Sequence, residues 1–239
     1  MTTRSKVYAG QSLEHFYDDA NGEILELLRR VRLDEDFTGT TANVIGGKWS
    51  SKVVKTAGSP TVAGVANKHQ VACTLDATSE KQDAVLYFAD NVCLDLMKQP
   101  IVDINAAATV LPSGTGDEVV FGLMAAWIDG PDNNTGFARF KCSGSGELYA
   151  ELYDGTTLTT VDTGILLVAG VFHDFQIDAW DSTNVLFYVD GARVCASSTF
   201  AIGSSVTTLG VQPYVAAYKP SGTGVATVTV DCIKIGQNR

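Results

Sequence analysis

Histidine is scarce in this sequence, with three residues among 239, and His15, His69 and His173 stand far apart. No G-x-S-x-G elbow accompanies them, so serine-hydrolase chemistry has no local signature. His173 and Asp174 are adjacent, and on a strand their side chains point to opposite faces, which excludes that carboxylate as the orienting partner of that imidazole. The five cysteines, Cys73, Cys93, Cys142, Cys195 and Cys232, are odd in number and form no C-x-x-C pair. That argues against a disulfide framework or a zinc site and leaves buried small hydrophobes. Long apolar runs are also missing. The longest, VVFGLMAAWI at 119–128, is about half of what a membrane-spanning helix needs, and it reads as a buried strand. Positive charge is short as well: 17 Lys and Arg face 27 Asp and Glu, for a net charge of -10. Such a surface repels phosphate backbones and anionic bilayers, so neither nucleic acid nor membrane is an expected partner. The opening MTTRSKVYAGQSLEHF has no apolar core of a signal peptide, so a soluble product made in a cytoplasm is expected.

What the chain does hold is short β-rich runs separated by turn residues. Glycine is frequent (23) and proline sparse (6), and from about residue 33 turn signals recur at the spacing of an all-β sandwich or barrel. The runs include KWSSKVVK, HQVACTL, AVLYF, IVDINAAATV, GFARFKC, ELYAELY and GVATVTVDCIKI. No long 3.6-period stretch separates them, which excludes a βαβ layout. FHDFQIDAWDSTNVLFYVDGARV at 172–194 predicts a three-stranded meander, with Phe175, Ile177 and Ala179 on one face and Val185, Phe187 and Val189 sharing a face of the next strand. Asp190-Gly191 is the signal for a type I′ turn. VVFGLMAAWI, apolar on both sides, predicts a central strand covered on both faces. Residues 1–32 stand apart. Ile24, Leu27, Leu28 and Val31 have helical spacing behind a possible Asn21 cap, which predicts a short amphipathic helix or an arm used in assembly.

Sites of chemistry are few. A sandwich glycosidase needs two carboxylates facing one sugar ring, and the candidates are Asp34 with Asp36 and Asp174 with Asp178. Neither set completes an E-x-D-x-x-E spacing, and a solvated sheet face explains both. GGKWS at 46–50 lacks the first glycine of a phosphate loop. The loop DGPDNNTG crowds Asp129, Asp132, Asn133 and Asn134, hard oxygen ligands of the kind Ca²⁺ takes, although the spacing is not that of an EF-hand. An Asx-rich turn is the alternative. Trp180 and Tyr188 are the candidate sugar-stacking rings, with Trp180 on the same side as Gln176 and Asp178.

The string GVFHDFQIDAWDSTNVLFYVDGARV resembles the concanavalin A-like lectin/laminin-G-like jelly-roll superfamily, in which a W/F-H-x-F-x-I strand leads through a polar turn to V-x-F-Y-V-D-G. RLDEDFTG is similar to the family's opening strand. GVQPYVAAYKPSGTGVATVTVDCIKI at 210–235 is similar to a C-terminal segment of such domains in tailed-bacteriophage structural proteins, with Val211 in place of Leu and Cys232 in place of Tyr. The resemblance implies an all-β, two-sheet antiparallel jelly-roll sandwich over 33–239, preceded by the arm or helix of 1–32. It transfers no catalytic pair, because the acidic signature of the hydrolase members is missing. It implies a non-enzymatic virion protein, a capsid decoration or cement protein made in the host cytoplasm. Its partners would be the major capsid protein or other virion proteins and further copies of itself, a trimer being favoured. The alternative it implies is a lectin-like adhesion module on a phage head, tail or fibre that takes a host surface glycan. No cofactor is expected other than Ca²⁺ at Asp129, Asp132 and Asn133.

Overall fold

The computed structural model describes residues 3–6, 15–18, 24–25, 31–38, 45 and 48–237. Strands β1 (Thr3–Lys6), β2 (His15–Asp18) and β3 (Ile24–Leu25) form a small antiparallel sheet of their own. Among the described residues it shares no ladder with the rest of the molecule.

Two eight-stranded antiparallel sheets make up the remainder. The first runs β17 (Ala192–Val194), β16 (Leu186–Val189), β15 (His173–Asp178), β10 (Ile101–Val110), β19 (Thr227–Gln237), β7 (Val71–Thr74) and β6 (Thr61–Gly64), with β4 (Val31–Glu35) also paired to β19. The second runs β14 (Leu158–Leu166), β13 (Glu147–Tyr153), β12 (Phe137–Ser143), β11 (Glu118–Met124), β18 (Gly210–Lys219), β8 (Gln82–Tyr87) and β5 (Ser50–Lys55), with the two-residue β9 (Leu94–Asp95) on β18. They are called here the β10 sheet and the β11 sheet. Together they form a two-sheet jelly-roll β-sandwich.

Phenylalanines join the sheets. Phe121 and Phe140 of the β11 sheet meet Phe175 of the β10 sheet at ring-centroid distances of 4.6 and 5.1 Å. Phe187 packs edge-on to Phe140 at 5.3 Å and continues to Phe200 at 4.7 Å. Such tilted and edge contacts suit the aromatic quadrupole and add to area burial. Around them lie Val102, Ile104, Val119, Leu123, Ile177 and Val189, all buried.

The meander forms as the alternation requires: β15, β16 and β17 are successive neighbours. Asp190 and Gly191 have φ of 51° and 75°, the two positive values of a type I′ turn. β11 is buried at every position and sits mid-sheet between β12 and β18. β10 coincides with IVDINAAATV. The helical spacing of the N-terminal segment is not realised at Ile24, which lies in β3, while Val31 opens β4 against Gln237. Backbone pairing with neighbouring strands has overridden a short local periodicity there. Leu27 and Leu28 lie outside the described residues.

Replacing Phe140 with Ala removes the ring shared by both sheets. The expected loss is about 3–5 kcal/mol of unfolding free energy in urea denaturation. A loss below ~1 kcal/mol would show that the phenyl cluster does not join the sheets.

Candidate functional site

The outer face of the β11 sheet is unusual in being both charged and buried. Facing outward on β11 are Glu118, Val120 and Met124. Ladder register sets Glu118 between Ser143 and Tyr218, Val120 between Lys141 and Ala216, Gly122 between Arg139 and Tyr214, and Met124 between Phe137 and Gln212. Val85, Tyr87, Val120, Met124, Phe137, Tyr214 and Ala216 form a second buried cluster on this side, with Trp127 and Tyr153 packed against it.

Arg139 is the charge at its centre, with a side chain 1% exposed. Its register partner on β13 is Glu151, whose carboxylate accepts from Nε at 2.8 Å and lies 2.7 Å from Nη2. Nη1 donates to the Pro131 carbonyl at 2.9 Å, and Nη2 also reaches Asp132. Pro131 and Asp132 belong to a short 3-10 turn, Pro131–Asn133, in the loop that follows β11. The guanidinium also lies 4.0 Å from the Phe137 ring centroid. Two residues on, Lys141 Nζ bridges Glu118 at 3.0 Å and Asp132 at 2.8 Å. Burial, reinforced by the Asp132 charge, raises the Glu118 carboxyl above its ordinary range. Burial acts on Asp132 in the same sense, but Lys141 and Arg139 outweigh it and hold that carboxyl low.

At this end of the sheet an open cleft of about 510 Å³ is lined by Ser113, Thr115, Glu118, Asp132, Lys141 and Ser143, among others. Further along the same face, Trp127 donates its indole N–H to Asp83 at 3.1 Å, and Lys52 Nζ lies 3.4 Å from the Trp127 ring centroid. Burial pushes the Asp83 carboxyl up to about 7, with the Trp127 hydrogen bond opposing and the Asp129 and Glu118 charges adding. Asp83 Oδ1 and Tyr214 Oη are buried with no hydrogen-bond partner among the described residues.

Of the residues singled out from sequence, Asp132 belongs to this network. The proposed Ca²⁺ ligands are occupied by protein groups. Asp129 pairs with Lys81 at 2.5 Å, Asp132 with Arg139 and Lys141, and Asn133 Nδ2 donates to the Asp129 carbonyl at 2.8 Å. Asn134 Oδ1 accepts from the Ala125 and Gly136 amides. The loop is rich in oxygen because it must neutralise lysine and arginine, and no group of three or more His, Cys, Asp or Glu suited to a metal ion occurs among the described residues. Trp180 is 48% exposed just beyond β15, on the β10 sheet. Tyr188 is half-buried on β16 opposite Gln176, four positions from Trp180 along the chain. Asp174 and Asp178 are separated by the same spacing, about 13 Å, beyond either glycosidase geometry. Asp174 accepts from Asn105 at 2.6 Å. Asp34 lies opposite Lys234, and Asp36 caps the amide of Thr38. His173, the first residue of β15, places Nδ1 2.7 Å from Asp190 rather than near Asp174. The Arg139–Glu151 pair was missed, although FARFKCSGSGELYAELY contains its signal: a hairpin about the SGSG turn sets Arg139 opposite Glu151.

No protein-family model matches the sequence, and no curated protein matches it. Solved structures do match. The laminarinase from Rhodothermus marinus superposes with a TM-score of 0.58 at 11% identity, over 86% of this chain and 96% of that one. The carbohydrate recognition domain of Emp47p gives a TM-score of 0.54 at 10% identity, over 87% and 95%. The β-glucanase of Bacillus licheniformis gives 0.52 at 13% identity, over 87% and 98%. At these identities the likeness defines the fold: a concanavalin A-like jelly-roll sandwich of the kind found in a lectin domain and in glucanases.

A carboxyl raised by burial stabilises the fold at low pH, and that contribution is lost as pH rises from the ordinary value of 3.8 towards about 7. Asp83→Asn removes the titration while keeping an acceptor for Trp127. Across that window the wild-type protein is expected to lose stability relative to the variant by roughly 1.4 kcal/mol per pH unit in urea unfolding. A pH-independent difference would mean that Asp83 does not titrate in this range.

Proposed function

We propose that this chain is a non-enzymatic carbohydrate-binding module, lectin-like in role. The observation that carries the reading is the charge pairing on the outer face of the β11 sheet. Glu151 is closed onto Arg139, and Glu118 and Asp132 flank the Lys141 ammonium. Acid–base hydrolysis of a glycoside needs one protonated and one ionised carboxyl, both free to reach the substrate. Here each carboxylate is already held by a charged partner. What the sandwich retains is a polar surface able to hold hydroxyl groups without reacting with them. The structural likeness to a carbohydrate recognition domain and to enzymes named for laminarin and β-glucan supports the same class of ligand.

A second reading, the virion decoration or adhesion protein, draws support from two features. The β1–β3 sheet pairs only within itself among the described residues, as an assembly arm would. Leu166, Val168, Val171 and Val110 are exposed aliphatic residues, and the Gly170 amide bonds the Ala108 carbonyl, which brings their segments together at one rim. This reading places the protein on a tailed-phage particle, in contact with capsid protein and with copies of itself, and leaves glycan binding as a compatible role. Val168→Lys together with Leu166→Lys is then expected to lower the mass measured by light scattering; a wild-type protein that is monomeric at micromolar concentration removes the oligomer.

For the primary reading, immobilised laminarin is expected to retard the protein in affinity electrophoresis while no reducing ends appear on prolonged incubation. Release of reducing sugar would make the protein a hydrolase.

A further inference from the structure

We infer that the cleft at the open end of the β11 sheet, rather than the ring-bearing face of the β10 sheet, is the ligand site, and that its ligand is an uncharged, polyhydroxylated sugar unit. This rests on the carbohydrate-binding reading and gives it a place and a selectivity.

The lining decides the ligand class. Ser113, Thr115 and Ser143 offer hydroxyls, Glu118 and Asp132 carboxylates, Lys141 an ammonium, and Gly114, Gly116 and Gly144 leave backbone exposed. Among the described residues no aromatic or aliphatic side chain lines it, so an apolar ligand gains nothing there. An anion meets the Glu118 and Asp132 carboxylates on a chain of net charge -10. A metal ion would have to displace Lys141, which already lies between the two carboxylates. A neutral polyol meets none of these costs. Acceptor, donor and acceptor follow one another at 3.0 and 2.8 Å along Glu118, Lys141 and Asp132, steps comparable to those between adjacent ring hydroxyls. Each carboxylate oxygen has further lone pairs to accept a sugar O–H, while the ammonium is already shared between Glu118 and both oxygens of Asp132 and holds them in place.

Both walls are held in place before any ligand arrives. On one side Ser113 Oγ accepts from the Val225 amide at 2.9 Å, and Asp117 accepts from the Gly114 amide at 2.8 Å. On the other, Arg139 fixes the Pro131 carbonyl and Asp132. The Gly146 amide closes the β12–β13 turn onto the Ser143 carbonyl at 3.2 Å. Ordering costs that weaken many polar sites are therefore small here. The volume of about 510 Å³ accommodates a short stretch of glycan rather than a single small ion.

The test uses the full chain on a printed array of neutral oligosaccharides beside sialylated, sulfated and uronate-containing ones. Titration calorimetry then follows with the best neutral binder. Thr115→Trp, in the loop before β11, and Ser143→Trp, at the end of β12, fill the cleft from two sides, and melting temperatures check that each variant folds. Binding to neutral glycans, weakened at least tenfold by either cleft-filling variant that folds, is the expected result. Wild-type affinity in the folded variants overturns the cleft assignment, and loss of binding in Trp180→Ala alone would move the site to the β10 sheet. A preference for acidic glycans overturns the neutral class. A wild-type protein that binds no glycan on the array fails the carbohydrate reading itself.

Discussion

Arg139 is a guanidinium taken out of water on the outer face of a sheet, and the architecture of that face follows from it. An isolated buried cation costs several kcal/mol, so its partners must be supplied wherever the chain can supply them. Ladder register gives Glu151. The remaining donors need oxygen from above the sheet, and the loop after β11 provides it through Pro131 and Asp132. That loop also carries Trp127, which meets Asp83 on the same face. Asp132, once fixed, draws Lys141 towards itself and Glu118. A single buried charge thus sets one wall of the cleft and part of the cover over the second buried cluster.

The same network limits what the carboxyls of this face can do. Glu118 is raised and Asp132 lowered, and paired carboxyls pushed in opposite directions are the signature of acid–base assignment. Position overrules the titration. The ammonium of Lys141 lies between the two and contacts both. The arrangement can grip a hydroxyl, but cleavage would need that ammonium displaced from both carboxylates. The burial that raises Asp83 to about 7 likewise gives no general acid, because the group is sealed under Trp127 instead of facing the cleft.

Much of the sandwich was legible because inward-facing side chains alternate strictly. Phe175, Ile177, Phe187 and Val189 could be placed by parity alone, and Asp190-Gly191 fixed their register. β14 was not recognised. An edge strand whose inward residues are Thr159, Val161, Thr163 and Ile165, all only half-buried, carries a weak apolar signal. Charged residues misled for a related reason. On parity Arg139 and Lys141 resemble a solvated strand face, and only the loop folded back from residues 131–132 makes that face an interior. Lys219, the last residue of β18, has a buried ammonium bonded to the carbonyls of Asp76, Thr78 and Gly224. The partners that make a buried charge tolerable lie far away in sequence, and no local pattern announces them.

The contrast between the two outer faces bears on where a ligand would settle. Across the β10 sheet runs the row Arg193, Tyr188, Gln176, Asp103, Lys234 and Asp34, in direct ladder register. It is chemically capable of binding sugar, and Gln176, Asp103 and Asp34 in it already have partners of their own. On the β11 sheet the comparable side chains are held by ion pairs with one another, and those pairs line an open cleft. Two surfaces with similar functional groups then differ in shape more than in chemistry. A cleft can contact a polyol from more than one side, whereas a row across strands contacts it from one, and that difference favours the β11 end even though the exposed indole lies on the other sheet.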